Sequence, residues 1–65
     1  MQTTNAALNH RINVALSVKA SAVRLLKVAK KTGDALGVTV YARMVEEETE
    51  RLRRYGEEAK SQLAT

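Results

Sequence analysis

Residues 11–17 read RINVALS, and two periods compete for them. With a period of two, Ile12, Val14 and Leu16 share one face and Arg11, Asn13, Ala15 and Ser17 the other, as on a half-buried strand. With a period of 3.6, Leu8, Ile12, Ala15 and Leu16 join a stripe that continues through Ala22, Val23 and Leu26, as on one side of a helix. The alternation is clean, and the residues at 12 and 14 are β-branched, which favours the strand.

Downstream of this stretch the pattern is helical. From Ser17 to Thr32, Ala22, Leu25, Leu26, Val28 and Ala29 keep three-and-four spacing, with most of the cations on other faces. Ser17, with Ser21 as its rival, is the expected N-cap. Gly33 is the expected stop, because glycine takes a left-handed conformation without Cβ strain. Lys30 and Lys31 suit the negative end of the helix dipole. Residues 33–56, GDALGVTVYARMVEEETERLRRYG, read as a turn and a second helix capped by Thr39 or Asp34. Val40, Tyr41, Met44, Val45 and Leu52 form its apolar side. Glu47 with Arg51 and Glu50 with Arg54 have the spacing of i,i+4 pairs. Gly56 is the expected end of regular structure. Residues 1–10 read as a flexible arm, 11–56 as one domain and 57–65 as a tail.

The chain has 65 residues and no cysteine, proline, tryptophan or phenylalanine. A chain of this length buries only about 60% of its unfolded surface. With no disulfide or thiolate metal site to staple it, an assembly that folds as it forms is expected. The net charge is +4, unevenly placed. Residues 1–33 carry Arg11, Lys19, Arg24, Lys27, Lys30 and Lys31 and no acid, whereas residues 34–65 carry seven acids against five bases. A basic half is the footprint of a polyanion partner; it also describes a merely solvated helix face.

Several function classes are not expected. No nucleophile–base–acid set or phosphate loop is visible, so enzymatic activity is not expected. His10 has no second ligand nearby, so neither a metal nor a cofactor is expected. The glutamates at 46–50 read as a solvated helix face, and Tyr41 as core or interface. No segment is apolar enough to span a membrane and no secretory signal is recognised, so a cytoplasmic location is expected.

The order of candidate strand, basic helix, glycine turn and second helix resembles the ribbon-helix-helix family of the Arc type. The likeness is densest in KVAKKTGDALGVTVYARMV, residues 27–45, around Gly33, the Val40–Tyr41 pair and Arg43. It implies a mainly α fold: one short N-terminal strand and two helices in an intertwined homodimer. It implies sequence-specific binding of double-stranded DNA by a two-stranded ribbon in the major groove. Arg11, Asn13 and Ala15 would then face the bases. Lys19, Arg24, Leu36, Gly37, Val38 and Thr39 would lie at phosphates. Ile12, Val14, Leu16, Leu25, Val28, Val40, Tyr41 and Met44 would form the dimer core. The implied role is a small repressor or autoregulator of phage, plasmid or antitoxin type, with higher oligomers on DNA and a protein partner for the acidic half left open.

Three features depart from the family pattern: a loop one residue longer before the first helix, alanine at the third reading position, and Asp34 beside the implied phosphate. The alternative role for Asp34 is a pair with Arg43 that supports the turn. The alternative is an all-α hairpin, about Asn5–Thr32 and Thr39–Leu63, dimerising as a four-helix bundle that regulates a partner protein. Leu8, Ile12, Ala15, Ala22, Leu26 and Ala29 have near-heptad spacing in its favour, with Lys19 interrupting the seam.

Overall fold

The period of 3.6 prevails. A computed structural model of the chain describes residues 6–64 as two helices, α1 (Ala6–Thr32) and α2 (Ala35–Ala64), joined by a two-residue turn. The helices pack side by side as an antiparallel hairpin, one layer deep, with extents of 49 × 15 × 11 Å. No strand occurs among the described residues, so the ribbon-helix-helix architecture is overturned and the fold is the all-α hairpin of the alternative, with its second helix starting at Ala35.

The reason lies in reach. The alternation at 12–16 spans five residues, whereas the helical stripe runs from Leu8 to Ala29. No glycine or proline interrupts it before Gly33. Valine and isoleucine in a helix interior cost only tenths of a kcal/mol, while a helix satisfies its backbone hydrogen bonds internally. A strand at 11–16 would have to find every partner on another segment.

α1 runs straight through the stretch expected to be an arm and a strand, so Ser17 and Ser21 are mid-helix residues and not caps. Residues 1–5 of the expected arm lie outside the described residues. α2 continues through Gly56 into the expected tail.

The turn is built as local chemistry requires. Gly33 has φ +73°, and the Asp34 N–H donates to the Ala29 carbonyl at 2.9 Å, which closes a Schellman motif. Asp34 then caps α2: its carboxylate accepts from the Gly37 N–H at 2.9 Å, and its carbonyl accepts from the Val38 N–H at 2.9 Å. Thr39 is not the cap; its hydroxyl donates back to the Ala35 carbonyl at 3.2 Å. Gly33→Ala is expected to cost about 1–2 kcal/mol, the strain of a left-handed alanine. Asp34→Ala is expected to cost about 1 kcal/mol, a lost cap. Urea titration reads both; an unchanged midpoint for Gly33→Ala would show that the turn does not depend on the left-handed residue.

The core is a seam of small side chains. Leu8, Ala15, Ala22 and Ala29 are buried at seven-residue intervals, and Ala22 is fully enclosed. Three of these four are alanine, so the helices can approach closely but bury little apolar area. Close approach is visible at the turn end, where a Cβ placed on Gly37 would lie 3.2 Å from the Ala29 Cβ. Among the described residues no large side chain is completely buried. The isolated hairpin therefore has a continuous interior with little hydrophobic stabilisation.

Candidate interaction surface

On α1, Val14, Val18, Ser21, Leu25 and Val28 recur at intervals of four, three, four and three, so they form one stripe along the helix. Val14, Val18, Glu48, Arg51 and Tyr55 line one open groove between the helices, which fixes the side of the hairpin on which the stripe lies. Val40 and Met44 precede Glu48 at four-residue steps on α2 and belong to the same side. We call this the front face. Val14, Leu25, Val28 and Val40 are 47%, 44%, 52% and 46% exposed; Leu36, on the outer side of α2, is 74% exposed. On the back, Ile12, Leu16, Val23 and Leu26 share their stripe with Lys19 and Lys30, so no comparably uncharged run forms there.

The residues expected to read DNA bases fall in unsuitable places. Arg11 and Asn13 are exposed on α1, but Ala15 is buried against α2. Helical spacing separates the three, and no ribbon presents them. The implied phosphate cradle is also changed. The Gly37 N–H is taken by the Asp34 carboxylate and the Val38 N–H by the Asp34 carbonyl. Leu36 and Thr39 are exposed, and Gly37 and Val38 are half-buried. Asp34 makes no ion pair with Arg43. Lys19 is half-buried on the seam side and Arg24 is exposed.

Of the residues expected in an intertwined core, Tyr41, Met44 and Ile12 are half-buried within the hairpin. Val14, Leu16, Leu25, Val28 and Val40 are exposed.

Charge divides along the hairpin. Arg51 pairs with Glu48 at 2.6 Å, and Glu48 is 8% exposed overall. Glu48 was expected in a solvated run; it lies in the inner stripe of α2 instead. The spacing Tyr41, Val45, Glu48, Leu52, Tyr55 contains the signal that locates it. Arg53 grips Glu50 through Nη2 at 2.5 Å and Nε at 3.1 Å and reaches Glu57 at 2.7 Å. Arg54 meets Glu50 at 3.3 Å, the spacing expected from the sequence, whereas Arg51 chooses Glu48 over Glu47.

The hydrogen bond from Arg53 is the main reason the Glu50 carboxyl titrates below its usual range; desolvation opposes it, and the charge of Arg53 with the hydrogen bond and charge of Arg54 reinforce it. Its partner shifts the other way, with Arg53 held above its ordinary value chiefly by the hydrogen bond to Glu50. A lowered folded-state value means that the contribution is present above the unfolded carboxyl value and is lost as pH falls through the folded one. Acidification below about pH 4 is therefore expected to fray the distal part of α2. Residue-resolved amide shifts between neutral pH and pH 3 would test this; retention of helical shifts at 50–57 would count against it.

By contrast, Lys19, Arg24, Lys27, Lys30, Lys31 and Arg43 enter no ion pair among the described residues. Arg24, Lys27 and Lys31 form a ridge on the outer side of α1, about 10 Å long. Among the described residues no group of three potential ligands could hold a metal ion, and no helix is long and apolar enough to cross a membrane. Comparison with family models, with curated proteins and with solved structures finds no match to the chain.

Proposed function

We propose that this chain is a small binding protein without catalytic activity, which works by packing its helical hairpin into a bundle with other helices. One observation carries the reading. The front face presents Val14, Leu25, Val28 and Val40 to solvent, while the hairpin's own buried seam is three alanines and one leucine. Among the described residues Leu8 is the one large apolar side chain that is buried; the other large apolar side chains facing the seam are half-buried. A face of this kind on a single helical layer is completed by a second layer. Replacing Leu25 and Val40 by glutamate tests the reading. The double variant is expected to lose association while its residual helicity becomes independent of concentration. An association unchanged by the double variant would place binding elsewhere.

A second reading rests on the separate outer ridge. Arg24, Lys27 and Lys31 lie together without ion-pair partners among the described residues, on a helix that carries no acid. Such a ridge suits the phosphate backbone of duplex DNA, held by charge alone and without base reading. Duplex affinity would then fall steeply between about 50 and 200 mM salt and depend little on sequence. A salt-insensitive affinity would rule this reading out.

A further inference from the structure

We infer that the front face is covered by a second copy of this chain, with the two α1 helices packed antiparallel about a two-fold axis through Ser21. This rests on the binding-module reading and names its partner. A two-fold interface joins one patch to itself, so the patch must be self-complementary. The α1 stripe meets that condition. Val14 and Val28 stand seven residues to either side of Ser21, and Val18 and Leu25 stand three and four residues away. Reversed about Ser21, the stripe falls on itself to within one residue: Val14 meets Val28, and Val18 lies about 1.5 Å along the axis from Leu25. The residue on the axis is the smallest of the five, as close approach of two helices requires.

Charge selects the same arrangement. The turn half, residues 19–43, carries Lys19, Arg24, Lys27, Lys30, Lys31 and Arg43 against Asp34 alone. The distal half carries Glu46, Glu47, Glu48, Glu50, Glu57 and Glu58 against Arg11, Arg51, Arg53, Arg54 and Lys60. Among the described residues Glu46, Glu47 and Glu58 have no ion pair. Two hairpins stacked face to face have two symmetric choices. A two-fold axis along the hairpin sets one basic turn end on the other, which repels. An axis across it sets each basic end on a mildly acidic end.

Surface area supports a partner of this size. The chain exposes 4981 Å², whereas a compact monomer of 7.2 kDa exposes about 4100 Å². The excess is comparable to the roughly 800 Å² that each partner buries in a standard interface.

Cysteine variants test both the partner and its orientation, because the chain has no cysteine of its own. A disulfide needs Cα atoms within about 7 Å. Sedimentation equilibrium of the unmodified chain is expected to give twice 7.2 kDa. Under mild oxidation Ser21→Cys is expected to link to itself. Val28→Cys alone is expected not to, since the two copies of that position lie about 21 Å apart along the axis. A mixture of Val14→Cys and Val28→Cys is expected to link as a heterodimer. A disulfide between Val28→Cys and Val40→Cys copies, without one at Ser21→Cys, would mean the parallel stack and overturn the inference. A monomer that is partly unfolded at millimolar concentration would overturn the second copy but leave the binding-module reading standing. A fully helical monomer would overturn both.

Discussion

Ala22→Leu is expected to destabilise the hairpin by about 1–3 kcal/mol, the usual consequence of overfilling a close-packed site. Ala22 is fully enclosed at the middle of the seam, with Ala15 and Ala29 a heptad to either side. A leucine there can fit only if α1 and α2 move apart, and that loosens every other contact of the alanine seam. Leucine is normally the better residue for a core, and by composition alone the substitution would add apolar burial. The geometry reverses that sign, because the helices are held close by what the seam lacks. Chemical denaturation checks it. A variant as stable as the parent would show that the seam has slack at its centre. Ala20→Leu, at an exposed position on the same helix, is the control and is expected to change stability by less than about 0.5 kcal/mol.

Opposite signs are expected at Glu48 and its partner. Glu48→Leu is expected to stabilise the hairpin by about 1–2 kcal/mol. It places an apolar side chain in the inner stripe of α2 and gives up an ion pair to an arginine that is half exposed. Arg51→Ala is expected to destabilise by about 1–3 kcal/mol, because it leaves a carboxylate with a 10% exposed side chain without its counter-charge. Removing either member of an ordinary exposed pair would change little in either direction. Thermal unfolding of both variants at neutral pH distinguishes the cases. A loss of stability in both would mean that the Glu48 carboxylate has a partner beyond Arg51.

Some of this architecture was legible in the sequence because its causes are local. Gly33 stops α1 where only a residue without Cβ takes a left-handed turn cheaply, and Asp34 was one of two named caps for α2. The helical character of residues 17–32 and 40–55 follows from spacing that extends over several turns. The near-heptad run Leu8, Ile12, Ala15, Ala22, Leu26, Ala29 was readable too, and four of its residues, Leu8, Ala15, Ala22 and Ala29, are the buried seam.

The stretch at 11–17 was not decidable locally. Five alternating residues fit either period, and the preference for a strand rested on side-chain propensity and on a family likeness. A helix needs no outside partner for its backbone, whereas a strand does, and that difference exceeds the tenths of a kcal/mol by which β-branched residues disfavour helix. The error carried over to the site: Ala15 was assigned to DNA and is core, while Val14 and Leu16 were assigned to core and are exposed.

The sequence by itself determined two helices, the stop at Gly33, an acid-free first half and the absence of any staple for a small core. Only the tertiary structure decided which side of each helix is inner. It put alanine at the seam, enclosed Glu48 out of an apparently solvated run, and left Val14, Leu25, Val28, Leu36 and Val40 uncovered. The physical reason is that burial belongs to pairs of surfaces. Periodicity along one helix lists the faces that can be buried, and the approach of the neighbouring helix selects among them.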